Sequence, residues 1–195
     1  PSIVMAHHNI RQGKDPIKPS ATLNHAGNFL YMLNGDEPSD DTAKLMDKDF
    51  VLHADHGSNA SAFTARVVAG TAADIHGAVT AGIAALSGPS HGGAAENVMQ
   101  MAKEIGKPEN AAEYVKNLLS NRERVMGFGH RVYKAEDPRA GHLRAGVKKL
   151  SEEMGQPEWY QILEAVVEAM QPYARRGIHV NVDFFAGVIY YLNGF

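Results

Sequence analysis

The sequence predicts an all-helical fold. Three observations carry this. Apolar residues recur at helical spacing through most of the 195 residues. Ser, Asp, Asn or Pro stand ahead of these runs and Gly stands behind them. No alternating segment is long enough for a sheet. A chain of this length makes one domain or two small ones.

Taken in order, Pro1 to Ala6 reads as a chain that begins inside a helix, with His7 and His8 on its surface or at an interface. Ser20 to Leu33 carries Leu23, Phe29, Leu30 and Leu33, and Gly35 stops it. Ser39-Asp40-Asp41 is an N-cap cluster for a helix with Leu45, Met46, Phe50 and Leu52. Ser58 to Thr71 and Asp74 to Leu86 are rich in Ala and Gly, the composition of helices that pack closely against others in a core. Gly92 to Ile105 places Val98, Met101, Ala102 and Ile105 on one face, closed by Gly106. Glu109 to Leu119 follows Pro108. Asp137 caps a helix that has Pro138 in its first turn and Leu143, Val147, Leu150 and Met154 on its apolar face. Pro157 opens the next, with Trp159, Ile162, Leu163, Val166, Val167 and Met170 in register. Phe184 to Leu192 is the last, and Gly194 is its C-cap. The only strand-like pieces are residues 124–126 and 178–180.

Composition narrows the function. Nineteen Lys plus Arg against 22 Asp plus Glu leave a net charge of −3, which argues against binding nucleic acid or a membrane surface through bulk charge. No apolar run reaches the roughly 18 residues of a membrane span. There are no cysteines, so disulfides, Cys-based zinc sites and thiol nucleophiles are excluded. That count fits a cytoplasmic protein.

Three stretches break the helical rhythm, and each holds a candidate. In residues 87–93, His91 stands between glycines at a helix start, where a positive charge is disfavoured and a neutral donor is favoured; a turn with a capping His reads equally well. In residues 125–139, two glycines precede His130, and Arg131, Lys134 and Arg139 add donors for anions; a solvated basic rim is the alternative. In residues 175–183, Asp183 lies among apolar neighbours, where desolvation makes a carboxylate a better base; it also fits as the N-cap of the last helix. Elsewhere, His53, Asp55 and His56 have spacing that a divalent ion could use, or they belong to a polar helix end.

Together these stretches resemble citrate synthase. The resemblance rests on His53-Ala54-Asp55-His56 with Asn59-Ala60-Ser61, on residues 87–93, on Gly127-Phe128-Gly129-His130 with Asp137-Pro138-Arg139, and on Asn181-Val182-Asp183. It runs from Pro1 to Phe195. Residues 11–14 and 28–33 also resemble the bacterial and archaeal branch, which includes methylcitrate synthases.

The resemblance implies an all-helical, two-domain fold. Residues 1–92 would belong to the large domain, 93–182 to the small domain, and 183–195 to a helix returning to the large one. The implied reaction condenses oxaloacetate with acetyl-CoA and hydrolyses the thioester, with the acyl-CoA as co-substrate and no tightly bound cofactor or metal. By resemblance Asp183 is the base, His91 the neutral donor to the thioester oxygen, and His130 the donor that polarises the ketone. His56 and Arg139 bind the dicarboxylate. Val125, Met126, Gly127, Phe128 and Gly129 hold the adenine of CoA, and Lys134 and Arg176 its phosphates. The family works as a homodimer or larger assembly and is roughly twice as long. The resemblance therefore implies a parent that extends before Pro1 and past Phe195, with further substrate arginines there. Gly57 stands where the family often has Glu. Three alternatives remain: a 2-methylcitrate synthase using propionyl-CoA, a metal-dependent hydrolase at His53, Asp55 and His56, and an inactive CoA-binding fragment.

Overall fold

Short polar side chains start most of the helices. The computed structural model describes residues 2–54, 56–57, 59–88, 91–130 and 132–195, and every named element within them is helical. Helix α1 is Ser2–Arg11 and α2 is His25–Asn34. Helix α3 is Asp40–His53, α4 is Ala60–Gly70 and α5 is Ile75–Leu86. Helix α6 is Ala94–Ile105, and a 3₁₀ turn at Pro108–Asn110 leads into α7, Ala111–Ser120. Helix α8 is Pro138–Glu153, α9 is Glu158–Ala174 and α10 is Val182–Leu192. The side chains of Asn24, Ser39, Asn59, Asp74, Asp137 and Asn181 each accept a backbone N–H in the first turn that follows.

Several boundaries differ from the sequence reading. Helix α2 starts at His25, not Ser20, because Asn24 caps it and the Asn28 amide ties back to the carbonyls of Ser20 and Leu23. Helix α6 starts after Gly93, so His91 stands in a turn before the helix and not at its first residue. Asn181, not Asp183, caps the last helix. Met154 follows the end of α8 and is half exposed, not part of the core. The strand-like pieces amount to a single antiparallel bridge, Phe128 with Val180.

The core is built around α10, which packs on α6, α8 and α9. Phe184, Phe185 and Ile189 are fully covered, among Val98, Leu143 and Ile162. A second aromatic cluster joins both ends of the chain: Phe29 stacks on Phe195 at 5.1 Å and meets Phe50 edge-on at 5.0 Å. Helices α4 and α5 pack mainly on each other. Their small residues bring the two helices together, but Phe63, Val67, Ile75, Val79 and Ile83 are more than half exposed. The pair packs closely, as expected, but it does not lie in a core: Ala78 is the only buried residue of the two helices. No helix among the described residues is long and apolar enough to cross a membrane.

Candidate active site

The loop before α8 and the loop before α10 are stitched together along the Phe128–Val180 bridge. Asn181 N donates to Gly127 O at 2.9 Å, and Gly129 N donates to His179 O at 2.8 Å. In this pairing the N–H and C=O of Phe128 face away from residue 180. Gly127 has φ +76°, and a Cβ there would lie 2.5 Å from the Phe184 ring, so only glycine lets the loop lie against α10. The Asn181 amide adds a bond to Gly129 O at 3.0 Å. These bonds hold the loop that carries His130 against the first turn of α10, which carries Asp183.

His130 is oriented by backbone. Its Nδ1 accepts N–H groups from Val132 at 3.0 Å and Tyr133 at 3.1 Å. An Nδ1 that accepts leaves the ring proton on Nε2. That Nε2–H donates to His56 Nε2 at 3.1 Å, which puts the His56 proton on its Nδ1. Burial holds the His130 pKa below the usual histidine value; the nearness of His56 and the Arg139 charge add to this, while Asp137 and Asp183 oppose it. Tyr133 packs against the His130 ring at 4.5 Å.

Arg139 is aligned by a buried carboxylate. Its Nε donates to Asp137 Oδ1 at 3.0 Å and its Nη2 to Oδ2 at 2.7 Å, a forked pair. Asp137 also accepts the N–H of Arg139 and, at 3.2 Å, the N–H of Val182. These donors hold the Asp137 pKa below the usual carboxylate value against the effect of burial.

Asp183 lies one residue further along α10. Its N–H donates to the Asn181 cap, and its carboxylate has no hydrogen bond among the described residues. Burial raises its pKa above the usual carboxylate value; His53, Arg139 and His130 pull it down and Asp137 pushes it up. Those charges surround a carboxylate that is bonded to none of them. The arrangement suits a base: desolvated, unbonded, and close to a neutral Nε2–H donor and an arginine.

A family model described as the C-terminal domain of citrate synthase matches residues 1–195. The chain belongs to the citrate synthase family. The citrate synthase of Synechocystis sp. is 46% identical over 191 residues, covering 97% of this chain and 48% of that protein. A 2-methylcitrate synthase of Mycobacterium tuberculosis is 40% identical over 195 residues, covering all of this chain and 49% of that one. The crystal structure of citrate synthase from Pyrobaculum aerophilum superposes with a TM-score of 0.93 at 39% identity, covering 99% of this chain and 49% of that one. The citrate synthase of Thermoplasma acidophilum, solved in a ternary complex with carboxymethyl coenzyme A and oxaloacetate, gives a TM-score of 0.89 at 31% identity over 100% of this chain and 52% of its own. The chain thus spans about half the length of the curated relatives it matches.

The citrate synthase fold gathers His56, His130, Arg139 and Asp183 into one region. His91 stands apart: its Nε2 pairs with Ser61 on α4 at 3.0 Å, and no hydrogen bond, ion pair or ring contact among the described residues joins it to the others. Val125 is buried and Met126 partly exposed on the glycine loop. Lys134 and Arg176 are exposed neighbours, because the backbone of Lys134 lies against Gly177. The described members of the possible metal triad, His53 and His56, turn to other partners, His53 to Asp49 and His56 to His130. Asp55 lies outside the described residues, and no three metal-ligating side chains cluster among those described. Pro89, Ser90 and Arg131 of the motifs also lie outside them.

Sequence reading missed four residues that shape this region. Asp137 was visible only as a helix cap, although Asp-Pro-Arg also spells an acid two residues from its arginine. Asn181 stood in the Asn-Val-Asp motif without a role of its own, and Tyr133 carried no signal. Asp49 precedes His53 by one helical turn, a spacing at which an acid and a histidine meet.

Proposed function

We propose that this protein is the catalytic part of a citrate synthase that condenses acetyl-CoA with oxaloacetate. The observation that carries the reading is the unbonded, half-buried Asp183 near the oriented Nε2–H of His130 and the clamped Arg139. Asp183 takes a proton from the methyl group of the thioester, and the electron pair moves to the thioester oxygen. His91 donates a hydrogen bond to that oxygen and so lowers the energy of the enolate. The enolate carbon attacks the ketone carbon of oxaloacetate. His130 Nε2–H polarises this ketone and gives its proton to the new alkoxide. Arg139 and His56 hold the dicarboxylate in line for attack. Water then cleaves the thioester of citryl-CoA, releasing citrate and CoA.

The outward N–H and C=O of Phe128, within residues 125–129, suit the adenine edge, and Lys134 and Arg176 suit CoA phosphates. Residues 1–92, 93–182 and 183–195 serve as large domain, small domain and return helix, and closure of one on the other brings His91 to the His130 side. A homodimer is supported by the exposed apolar outer face of α4 and α5. The proposed setting is the cytoplasm.

The test is release of CoA thiol by the protein as naturally expressed, with oxaloacetate and acetyl-CoA, and identification of citrate as product. No thiol release would overturn the reading. The 40% identical 2-methylcitrate synthase favours a second reading in which propionyl-CoA is the donor. One methylene is worth about 1–3 kcal/mol, so the ratio of kcat/KM for the two donors decides between them.

A further inference from the structure

The steps above leave one buried acid unused. Asp49, on α3, is fully covered by protein. Tyr190 OH donates to its Oδ2 at 2.7 Å. Its Oδ1 accepts no hydrogen bond, yet the Nδ1 of His53 lies 3.2 Å away and also contacts the Asp49 carbonyl at 2.9 Å. A buried carboxylate oxygen without a hydrogen bond is unusual. It is accounted for if His53 is the cation that faces it.

This group adjoins the base. Tyr190 follows Asp183 by about two turns on α10, so the two share a helix face. Tyr190 therefore joins Asp49 and His53 to the face that carries Asp183. Of the groups that favour ionised Asp183, His53 is the strongest, ahead of Arg139, while Asp137 opposes them and Tyr190 flanks from its own helix. Burial would discharge His53, but its contacts to Asp49 outweigh that and raise its pKa. Its Nε2 has no hydrogen-bond partner among the described residues.

A buried aspartate tends to hold its proton, and a protonated acid cannot act as a base. A fixed cation alongside restores the carboxylate. We propose that His53, held as an imidazolium by Asp49 with Tyr190 locking that acid, is a positioning residue that keeps Asp183 ionised for proton abstraction. This rests on the reading of Asp183 as the base of a synthase. No proton leaves His53 in the cycle. When Asp183 takes the methyl proton and becomes neutral, the imidazolium charge remains beside the new enolate.

The test uses the protein as naturally expressed and two variants, His53→Gln and Tyr190→Phe. The carboxyl carbon of Asp183 is followed by NMR through a pH titration without substrate, and kcat is measured over the same range. In His53→Gln the Asp183 titration and the acid limb of kcat both move up by about 1 pH unit, with oxaloacetate affinity within about twofold. Tyr190→Phe, which keeps the ring and the packing, moves both in the same direction by less. An Asp183 titration unchanged in both variants overturns the proposal. If His53→Gln does not fold, Tyr190→Phe decides alone by the same criterion. A wild-type protein that fails to condense the substrates overturns the functional reading instead, and with it any use of His53 in that reaction, whatever the carboxyl titration shows.

Discussion

Helices α5 and α10 are similar in length, 12 and 11 residues, and both consist almost wholly of apolar and small residues. Their surroundings are opposite. Helix α10 buries eight residues, from Val182 to Leu192, whereas α5 buries only Ala78. Both approach a neighbour through glycine. A Cβ on Gly187 of α10 would stand 2.4 Å from the Ala95 carbonyl of α6, while one on Gly82 of α5 would rest 3.5 Å from Ala65 of α4. Apolar content alone therefore does not set burial. Helix α10 is enclosed by its own chain and can hold a half-buried carboxylate in a fixed place. Helix α5 leaves its outer face exposed, the face proposed above for a second copy.

The largest effect that bears on this contrast is expected at Asp183. Asp183→Asn retains the shape and the Asn181 cap but removes the base. We expect kcat for citrate formation to fall by about 10²–10⁴-fold with oxaloacetate binding nearly intact. Steady-state kinetics with calorimetric binding would show it, and unchanged turnover would make α10 merely structural.

Next comes the hairpin. Ile75→Lys together with Ile83→Lys places charge on the exposed face of α5. Dissociation of the assembly should become easier by about 100-fold or more, with little change in helix content. Sedimentation across a concentration series measures this. An unaltered assembly would mean that the hairpin is not the interface.

Asp137→Asn tests how α10 is anchored at its start. Asp137 gathers donors from Arg139 and Val182, so its loss should cost about 1–3 kcal/mol. The sign of its pH dependence follows from its lowered pKa. Its contribution is full above the ordinary aspartate value and is lost as pH falls through the lower folded value. Urea midpoints across the acid range should show this loss in the wild type and not in Asp137→Asn.

The smallest effects separate the two glycines. Gly187→Ala meets backbone that cannot yield and should destabilise by about 1–2 kcal/mol. Gly82→Ala has room and should stabilise by about 0.5–1 kcal/mol, as alanine does in a helix. Equal shifts in urea midpoint would erase the contrast.

The same contrast marks what the sequence could disclose. Helix α10 was legible because its apolar positions run on all sides and Asn181 precedes them. Its cap was misassigned because Asn181 and Asp183 are both capable side chains, and only the chain path selects the first. The exposed face of α5 was not legible, since periodicity reports that a surface is apolar and not what covers it. In the site, His56, His130, Arg139 and Asp183 emerged from short motifs whose residue types suit the chemistry. Asp49 and Tyr190 did not, because they are separated by more than half the chain and meet only when α3 and α10 come together. The helix after His91 reads as starting at Gly92 but begins at Ala94, because Gly92 and Gly93 continue the turn.

The carboxylate of Asp137 has one more consequence, for altering the substrate. One side chain sets the guanidinium of Arg139 and the backbone at the entrance to α10. A change that displaces Arg139, proposed above to hold the dicarboxylate, also disturbs the start of α10, because the N–H of Val182, one residue before Asp183, bonds to the same carboxylate. His91, proposed above to meet the acyl group, is not tied in this way: it takes its bearing from Ser61 on a different helix. New acyl donors should therefore be reachable through a few substitutions near His91 and Ser61, whereas new keto acids would demand coordinated changes across α8, α10 and the loops between them.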